Sequence, residues 1–255
     1  VIEQCLDPAI PIVRWTCPDD FALQPDAVRQ AAAADWCRAH LDPILRTVDP
    51  HRPVVFGEDF GRSGDVTDIL PFQRQPELCW RALCLLELRN VPFRQQEQVL
   101  FYLLDRLPHL VAGAMDARGN GQYLAEVAQQ RYGTRIHPIM LSADWYREHM
   151  PRYKAAFQDR TALLPQHADV LDDHRLLRVE KGVPKIPDDR HTIGADGGQR
   201  HGDSAVAGAL GIYATTLEWG PIEYQTVRPS TWRGPVSDDR RPLEREPPVP
   251  ASVFG

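Results

Sequence analysis

Lysine is scarce in this 255-residue chain. Lys154, Lys181 and Lys185 are the only three among 29 basic residues, so arginine carries nearly all the positive charge. Arginine's planar fork suits phosphate contacts, but an arginine-rich coding bias gives the same composition, and both readings stand. Positive charge is short overall: a formal net charge of −6 argues against a protein that coats nucleic acid through bulk charge, while leaving room for a compact acidic site. Cysteine is sparse as well. Cys5, Cys17, Cys37, Cys79 and Cys84 are odd in number and form no Cys-x-x-Cys pair, which argues against a disulfide framework and a structural zinc site. They are expected to be reduced packing residues. No apolar run approaches the roughly 20 residues that a bilayer span needs. The N-terminus has neither the basic nor the apolar region of a secretory leader. The expectation is a cytoplasmic protein without a membrane partner.

What is present is enough for a full core. With 43% hydrophobic and 25% charged residues, the chain fits one or two globular domains. It begins at Val rather than Met, which fits a fragment of something longer. Residues 1–50 hold 4 basic and 8 acidic residues and one good helical stretch, Pro25 to Thr47, which Pro43 should kink or end early. They read as a lead-in element rather than a domain. Residues 51–220 read as the domain itself. Residues 221–255 hold seven prolines and no periodicity, the composition of an extended docking tail.

Between these ends the hydrophobic pattern alternates in an orderly way. Val54-Val55-Phe56 is a short apolar run that enters a Gly-rich turn at Gly57 to Gly61. Val66 to Phe72 and Trp80 to Leu88 follow, so three strands form an antiparallel meander. Arg94 to Leu107 has helical spacing and stops at Pro108. His109 to Met115 is a continuous apolar strand of the kind buried in parallel sheets. A helix over 122–132 ends at Gly133, a fifth strand spans Ile136 to Leu141, and Ser142 caps a helix to about Phe157. A small hairpin turns at Lys181-Gly182, a polar loop runs to Gly202, and a last helix spans 203–214. This is the element order of a ribonuclease H-like α/β fold: a mixed five-stranded sheet flanked by helices, with an accessory β-hairpin.

Three aspartates stand where such a fold builds chemistry. Asp59 ends the first strand, Asp116 ends the fourth, and Asp203 begins the last helix. If the first and fourth strands lie parallel and adjacent, Asp59 and Asp116 emerge at neighbouring carboxyl ends, where open α/β sheets bind ligands. Each has a bland reading too: Asp203 as a helix N-cap, Asp116 as a turn-former, Asp59 as either. Glu58 points to the opposite face of its strand, so only one of the pair can serve the site. Their joint placement favours function. Three carboxylates converging without basic partners repel one another, and hard divalent cations, Mg²⁺ or Mn²⁺, offset that repulsion. Two such ions roughly 3.5–4 Å apart suffice for phosphodiester hydrolysis with no side-chain nucleophile. Arg62, Arg118, Lys181, Lys185, Arg190 and Arg200, all in turns or loops near those strand ends, are the candidate DNA phosphate contacts.

Three motifs carry a resemblance. Phe56-Gly57-Glu58-Asp59-Phe60-Gly61-Arg62-Ser63-Gly64-Asp65, then Gly113 to Gly121 around Asp116, then Arg200-His201-Gly202-Asp203-Ser204-Ala205-Val206-Ala207 resemble the nuclease domain of phage terminase large subunits, of the Mu-like type. The likeness covers about residues 52–216. It implies a two-metal endonuclease that cuts double-stranded phage DNA during genome packaging in the host cytoplasm, with Asp59, Asp116 and Asp203 as metal-binding carboxylates. It also places His201 at the site, to orient a water or touch the phosphate. A solvent-exposed loop histidine is the bland alternative. Asp65 reads as a turn residue and Asp196 as an additional acid on a flexible loop. Large terminases also carry an ATPase motor with a GxxxxGK[ST] phosphate loop, and no lysine here follows a glycine in that way. The resemblance therefore implies partners outside this chain: the ATPase motor domain, the small terminase subunit and the portal. Residues 1–50 would lead from the motor, and the segment 176–202 would gate access to the metals. Another ribonuclease H-like enzyme (a junction resolvase, ribonuclease H or transposase) and a non-catalytic packaging or assembly module remain open.

Overall fold

A computed structural model of the chain describes residues 1–61, 66–187 and 189–218. Arg62, Asp65 and the 221–255 tail lie outside the described residues. The chain opens with two strands, β1 (Leu6–Asp7) and β2 (Ile12–Thr16), then α1 (Asp26–His40) and α2 (Asp42–Leu45). Pro43 sits in the first turn of α2, where its missing N–H leaves no intrahelical bond unmade, so the expected single helix becomes two. Next come β3 (Val54–Asp59), β4 (Val66–Arg74), β5 (Trp80–Ala82) and β6 (Leu85–Arg89). The third expected strand is thus split in two at Leu83-Cys84. Then α3 (Phe93–Leu104), β7 (Leu110–Asp116), α4 (Gly121–Tyr132), β8 (Ile136–Ile139) and α5 (Ala143–Gln158) follow in the expected order. Ser142 caps α5 by accepting the Trp145 N–H at 3.2 Å. Between α5 and the hairpin lie two further elements that were not expected, β9 (Ala162–Pro165) and α6 (Ala168–Leu176). The hairpin is β10 (Arg178–Glu180) and β11 (Val183–Lys185). The polar loop contains a second small ribbon, β12 (Thr192–Ile193) and β13 (Gln199–Arg200), before α7 (Asp203–Ala214).

Among the described residues nine strands form one mixed sheet, not five. Its order is β1-β9-β5-β4-β3-β7-β8, with β6 also on β4 and β2 on β6. β3 runs antiparallel to β4 and parallel to β7, and β8 is parallel to β7. The extra strands are the split of one expected strand and the short β1, β2 and β9, which add in parallel near the edges. This also corrects the reading of residues 1–50. β2 pairs with β6 from Ile12↔Leu85 to Thr16↔Arg89, and β1 pairs with β9, so these residues are part of the compact unit that starts at Val1.

The sheet divides the core into two layers. Val55, Leu70, Phe72, Leu85, Ala112 and Ala114 face α5 and α7. Val54, Phe56, Ile69, Leu86 and Met115 face the other way, with residues of α1, α3 and α4. α7 is apolar nearly all round and almost wholly buried, as expected of a helix with no solvent face. Gly57 lets it lie directly on β3: a Cβ there would come within 2.0 Å of the Ala207 carbonyl oxygen and 2.2 Å of the Gly211 nitrogen. That contact fixes where the first residue of α7 falls. All five cysteines are buried and unpaired. No helix among the described residues is long and apolar enough to cross a membrane.

Candidate active site

Alternation along β3 sends Glu58 to the α3 layer and Asp59 to the α7 layer. On that same face the register aligns a row of charges across the sheet. Arg14 of β2 pairs with Glu87 of β6, Glu87 with Asp68 of β4, and Asp68 with Asp59 of β3. Glu58 is in register with Met115, so the next residue of β7, Asp116, stands beside Asp59. α7 closes over the end of this row and brings in Asp203. All three expected aspartates are buried, with 9%, 4% and 5% exposure for Asp59, Asp116 and Asp203.

They line one cavity of about 290 Å³, together with Arg118, Arg190 and His201. Phe60, Gly61, Tyr146, Ile186, Pro187 and Val206 complete its walls. Burial, then the charges of Asp203 and Asp116, hold the Asp59 carboxyl well above the usual carboxylate range. Burial and the Asp173 charge push Asp203 up to about 6, against the opposing pull of Arg200 and the His201 N–H. Asp203 is the first helical residue of α7 and Gly202, at φ +85°, is the N-cap. The N-cap reading of Asp203 is therefore not realised. The turn-forming reading of Asp116 is realised in part, since its Oδ1 accepts the Arg118 N–H at 3.0 Å.

The expectation that the acids lack basic partners is corrected at Asp116. Arg118 donates from Nε to Oδ1 and from Nη2 to Oδ2, each at 3.1 Å. Arg200 is a second correction. It was expected at the DNA surface because it falls in a polar loop, but it is 1% exposed. Its guanidinium donates to Asp173 at 3.1 and 2.7 Å, to Glu87 at 2.8 Å and to Asp68 at 3.2 Å. These charge-assisted bonds take four of the five guanidinium N–H donors, and burial keeps the group from a phosphate at the surface. Asp173 in turn accepts the Ser204 N–H at 3.1 Å and the Ser204 hydroxyl at 2.6 Å. The Arg200 cluster therefore fixes both ends of the segment 200–204, which carries His201 and Asp203.

The remaining candidates fall on either side of the cavity. Arg190 lines it. Lys181 sits in the hairpin turn at φ +49° and Lys185 pairs with Glu180 at 3.5 Å, and neither lines it. Residues just after that hairpin, Ile186 and Pro187, do. Asp196 is paired with Arg89 at 2.9 Å, away from the cavity lining. Sequence reasoning missed Tyr146 as a wall residue and Asp68, Glu87 and Asp173 as the supports beneath. For Asp68 and Glu87 a signal existed, since each interrupts an otherwise apolar strand. Glu58, also fully buried, has no hydrogen-bond partner among the described residues on either carboxylate oxygen, and burial with the Asp116 charge raises its pKa.

Three buried carboxylates on one cavity form an all-oxygen donor set, which suits a hard divalent cation. Their mutual repulsion marks where such a charge would be stabilised. The side chains are not yet gathered round a common point. Among the described residues no three His, Cys, Asp or Glu side chains form a ready ligand group, and both oxygens of Asp116 are turned onto Arg118.

No family model matches the chain. It is 38% identical over 244 residues, 94% of its length and 44% of the relative's, to the probable terminase large subunit gp28 of Escherichia phage Mu. It is 36% identical over 213 residues, 83% of its length and 42% of the relative's, to the Mu-like prophage FluMu protein gp28 of Haemophilus influenzae. Among solved structures, the large terminase nuclease of thermophilic phage G20c with bound zinc superposes with a TM-score of 0.50 at 18% identity, covering 67% of this chain and 85% of that one. Fold and cavity together define a ribonuclease H-like α/β domain with acids at the carboxyl edge of its sheet. The chain belongs to the family of Mu-like phage terminase large subunits, and it spans less than half the length of the relatives it matches.

Proposed function

We propose that this chain is the nuclease portion of a terminase large subunit, a divalent-metal-dependent endonuclease that cuts double-stranded phage DNA during packaging. The observation that carries this reading is the convergence of buried Asp59, Asp116 and Asp203, from β3, β7 and α7, on one cavity. These three carboxylates would hold Mg²⁺ or Mn²⁺, two ions in the full site. When bound, the ions supply Lewis-acid activation of a water and charge stabilisation at the leaving oxygen. The protein's own part is to place the phosphate. Arg118 and Arg190 hold it at the cavity, His201 of the same lining orients the water or the phosphate, and Lys181 and Lys185 meet the flanking duplex. Because phosphate contacts carry no base information, sequence preference is weak. In the whole protein the ATPase motor domain, the small terminase subunit and the portal are the proposed partners.

The test is plasmid cleavage by the purified chain with Mn²⁺ or Mg²⁺. Nicked and linear products are expected, with Asp59→Asn slower by at least about 100-fold, in line with the several kcal/mol that metal charge stabilisation supplies. Equal products from wild type and Asp59→Asn would remove the reading. Preferential cutting of four-way junctions or RNA–DNA hybrids over duplex would move it to another ribonuclease H-like enzyme.

A further inference from the structure

Arg118 engages one of the three cavity aspartates, Asp116, and that contact is unusually complete. The backbone N–H, Nε and Nη2 of one residue engage both oxygens of Asp116, at 3.0, 3.1 and 3.1 Å. Both carboxylate faces that an ion would use are therefore taken by a guanidinium. Yet Arg118 is no buried structural arginine like Arg200. Its side chain is 48% exposed while that of Asp116 is 6% exposed, so the guanidinium can leave toward solvent but the carboxylate cannot follow. An arginine guanidinium is cationic at any accessible pH, so the competition is always between two cations.

Resting on the reading above, we infer that Arg118 is the built-in counter-ion of the acid cavity and exchanges Asp116 for a DNA phosphate, so that DNA binding and metal loading promote one another. The argument is one of competition. A guanidinium and a divalent cation want the same two Asp116 oxygens, and only one can have them. A phosphodiester gives the guanidinium an alternative partner with the same fork geometry. DNA at the cavity mouth thereby releases Asp116 to the ion, and an ion on Asp116 releases Arg118 to DNA. Such coupling is reciprocal by linkage. Arg118 thus withholds Asp116 from the ion until DNA arrives, and it keeps the DNA-free protein poorly loaded with metal.

The inference has a diagnostic signature: removing a positive charge from the cavity mouth tightens Mn²⁺ binding without DNA and changes it little once DNA is bound. Isothermal titration of Mn²⁺ into wild type, Arg118→Gln and Asp116→Asn, each alone and with a cleavage-resistant phosphorothioate duplex, reads it directly. Without DNA, Arg118→Gln is expected to bind Mn²⁺ about tenfold more tightly than wild type, the usual size of a coupling between sites. Adding duplex should tighten wild type by a similar factor and Arg118→Gln by little. Asp116→Asn should bind Mn²⁺ weakly in every condition. Equal Mn²⁺ affinities for wild type and Arg118→Gln without DNA, with Asp116→Asn still weak, would overturn the exchange and leave the nuclease reading intact. Mn²⁺ binding that ignores Asp116→Asn would overturn both, because Asp116 would then be no ligand at all.

Discussion

Asp203 links the local chemistry to the stability of the fold. Its carboxyl titrates near 6, raised by burial first and then by Asp173, although Arg200 and the His201 N–H pull the other way. A raised carboxyl pKa means that the folded state binds the proton more tightly than the unfolded chain. The group then costs nothing below the unfolded value near 3.8. Its cost grows as pH rises from about 4 to about 6 and is complete above that. Asp59 shifts in the same direction. Asp203→Asn is therefore expected to stabilise the metal-free protein by about 1–2 kcal/mol at pH 7 and not at all at pH 4. The Asn side-chain oxygen still accepts the His201 N–H. Conversely, Mn²⁺ should raise the melting temperature of wild type and do so much less for the variant, by mass action on the folded state. Thermal melts at the two pH values, with and without Mn²⁺, check both halves. A variant less stable than wild type at pH 7 would mean that the Asp203 charge is fully compensated in the free protein.

At the scale of elements, the site depends on how closely α7 approaches β3. Gly57→Ala places a methyl against the backbone of Ala207 and Gly211, and backbone cannot step aside as a side chain does. The helix must lift from the strand, taking Asp203 with it. A loss of about 2–3 kcal/mol, seen as a lower denaturant midpoint, is expected together with a loss of cleavage. An unchanged midpoint would mean that α7 tolerates the shift. Of the elements that carry the site, β3 and β7 were the most legible in the sequence, and for a physical reason. Strands buried on both faces read as unbroken apolar runs, so Val54-Val55-Phe56 and His109 to Met115 announced themselves and the aspartates at their ends with them. α6 was illegible because its inward side mixes acids with the apolar Val170 and Leu176. Asp169 and Asp173 are buried there to receive Arg14 and Arg200, so no apolar stripe marks the helix. Arg200 misled for the complementary reason. Local sequence places it in a polar loop, and only the tertiary assembly of β4, β6 and α6 supplies the three carboxylates that bury it.

At the scale of the molecule, the N-terminal strands reach the candidate site through charge rather than through the apolar core alone. Arg14 of β2 is hydrogen-bonded to Glu87 and, at 3.1 Å, to Asp169. Glu87 also accepts from Arg200, and Arg200 braces Asp173 against the start of α7. A continuous line of ion pairs therefore runs from β2 to Asp173, which hydrogen-bonds Ser204 next to Asp203. Removing residues 1–16 would strip β2 from the edge of β6, expose that edge for pairing with other chains, and leave buried Glu87 and Asp169 without the Arg14 cation. Unpairing one partner of a buried ion pair is strongly destabilising. The third of Arg14 that is exposed moderates the effect to about 1–3 kcal/mol for Arg14→Met alone. The truncated chain is expected to lose its cooperative melt or aggregate, whereas Arg14→Met should melt cooperatively at lower temperature and cleave more slowly. A truncated chain that melts and cuts like the full one would return residues 1–16 to the role of a mere lead-in. The graded loss across the two variants would instead establish them as the outer brace of the acid cavity.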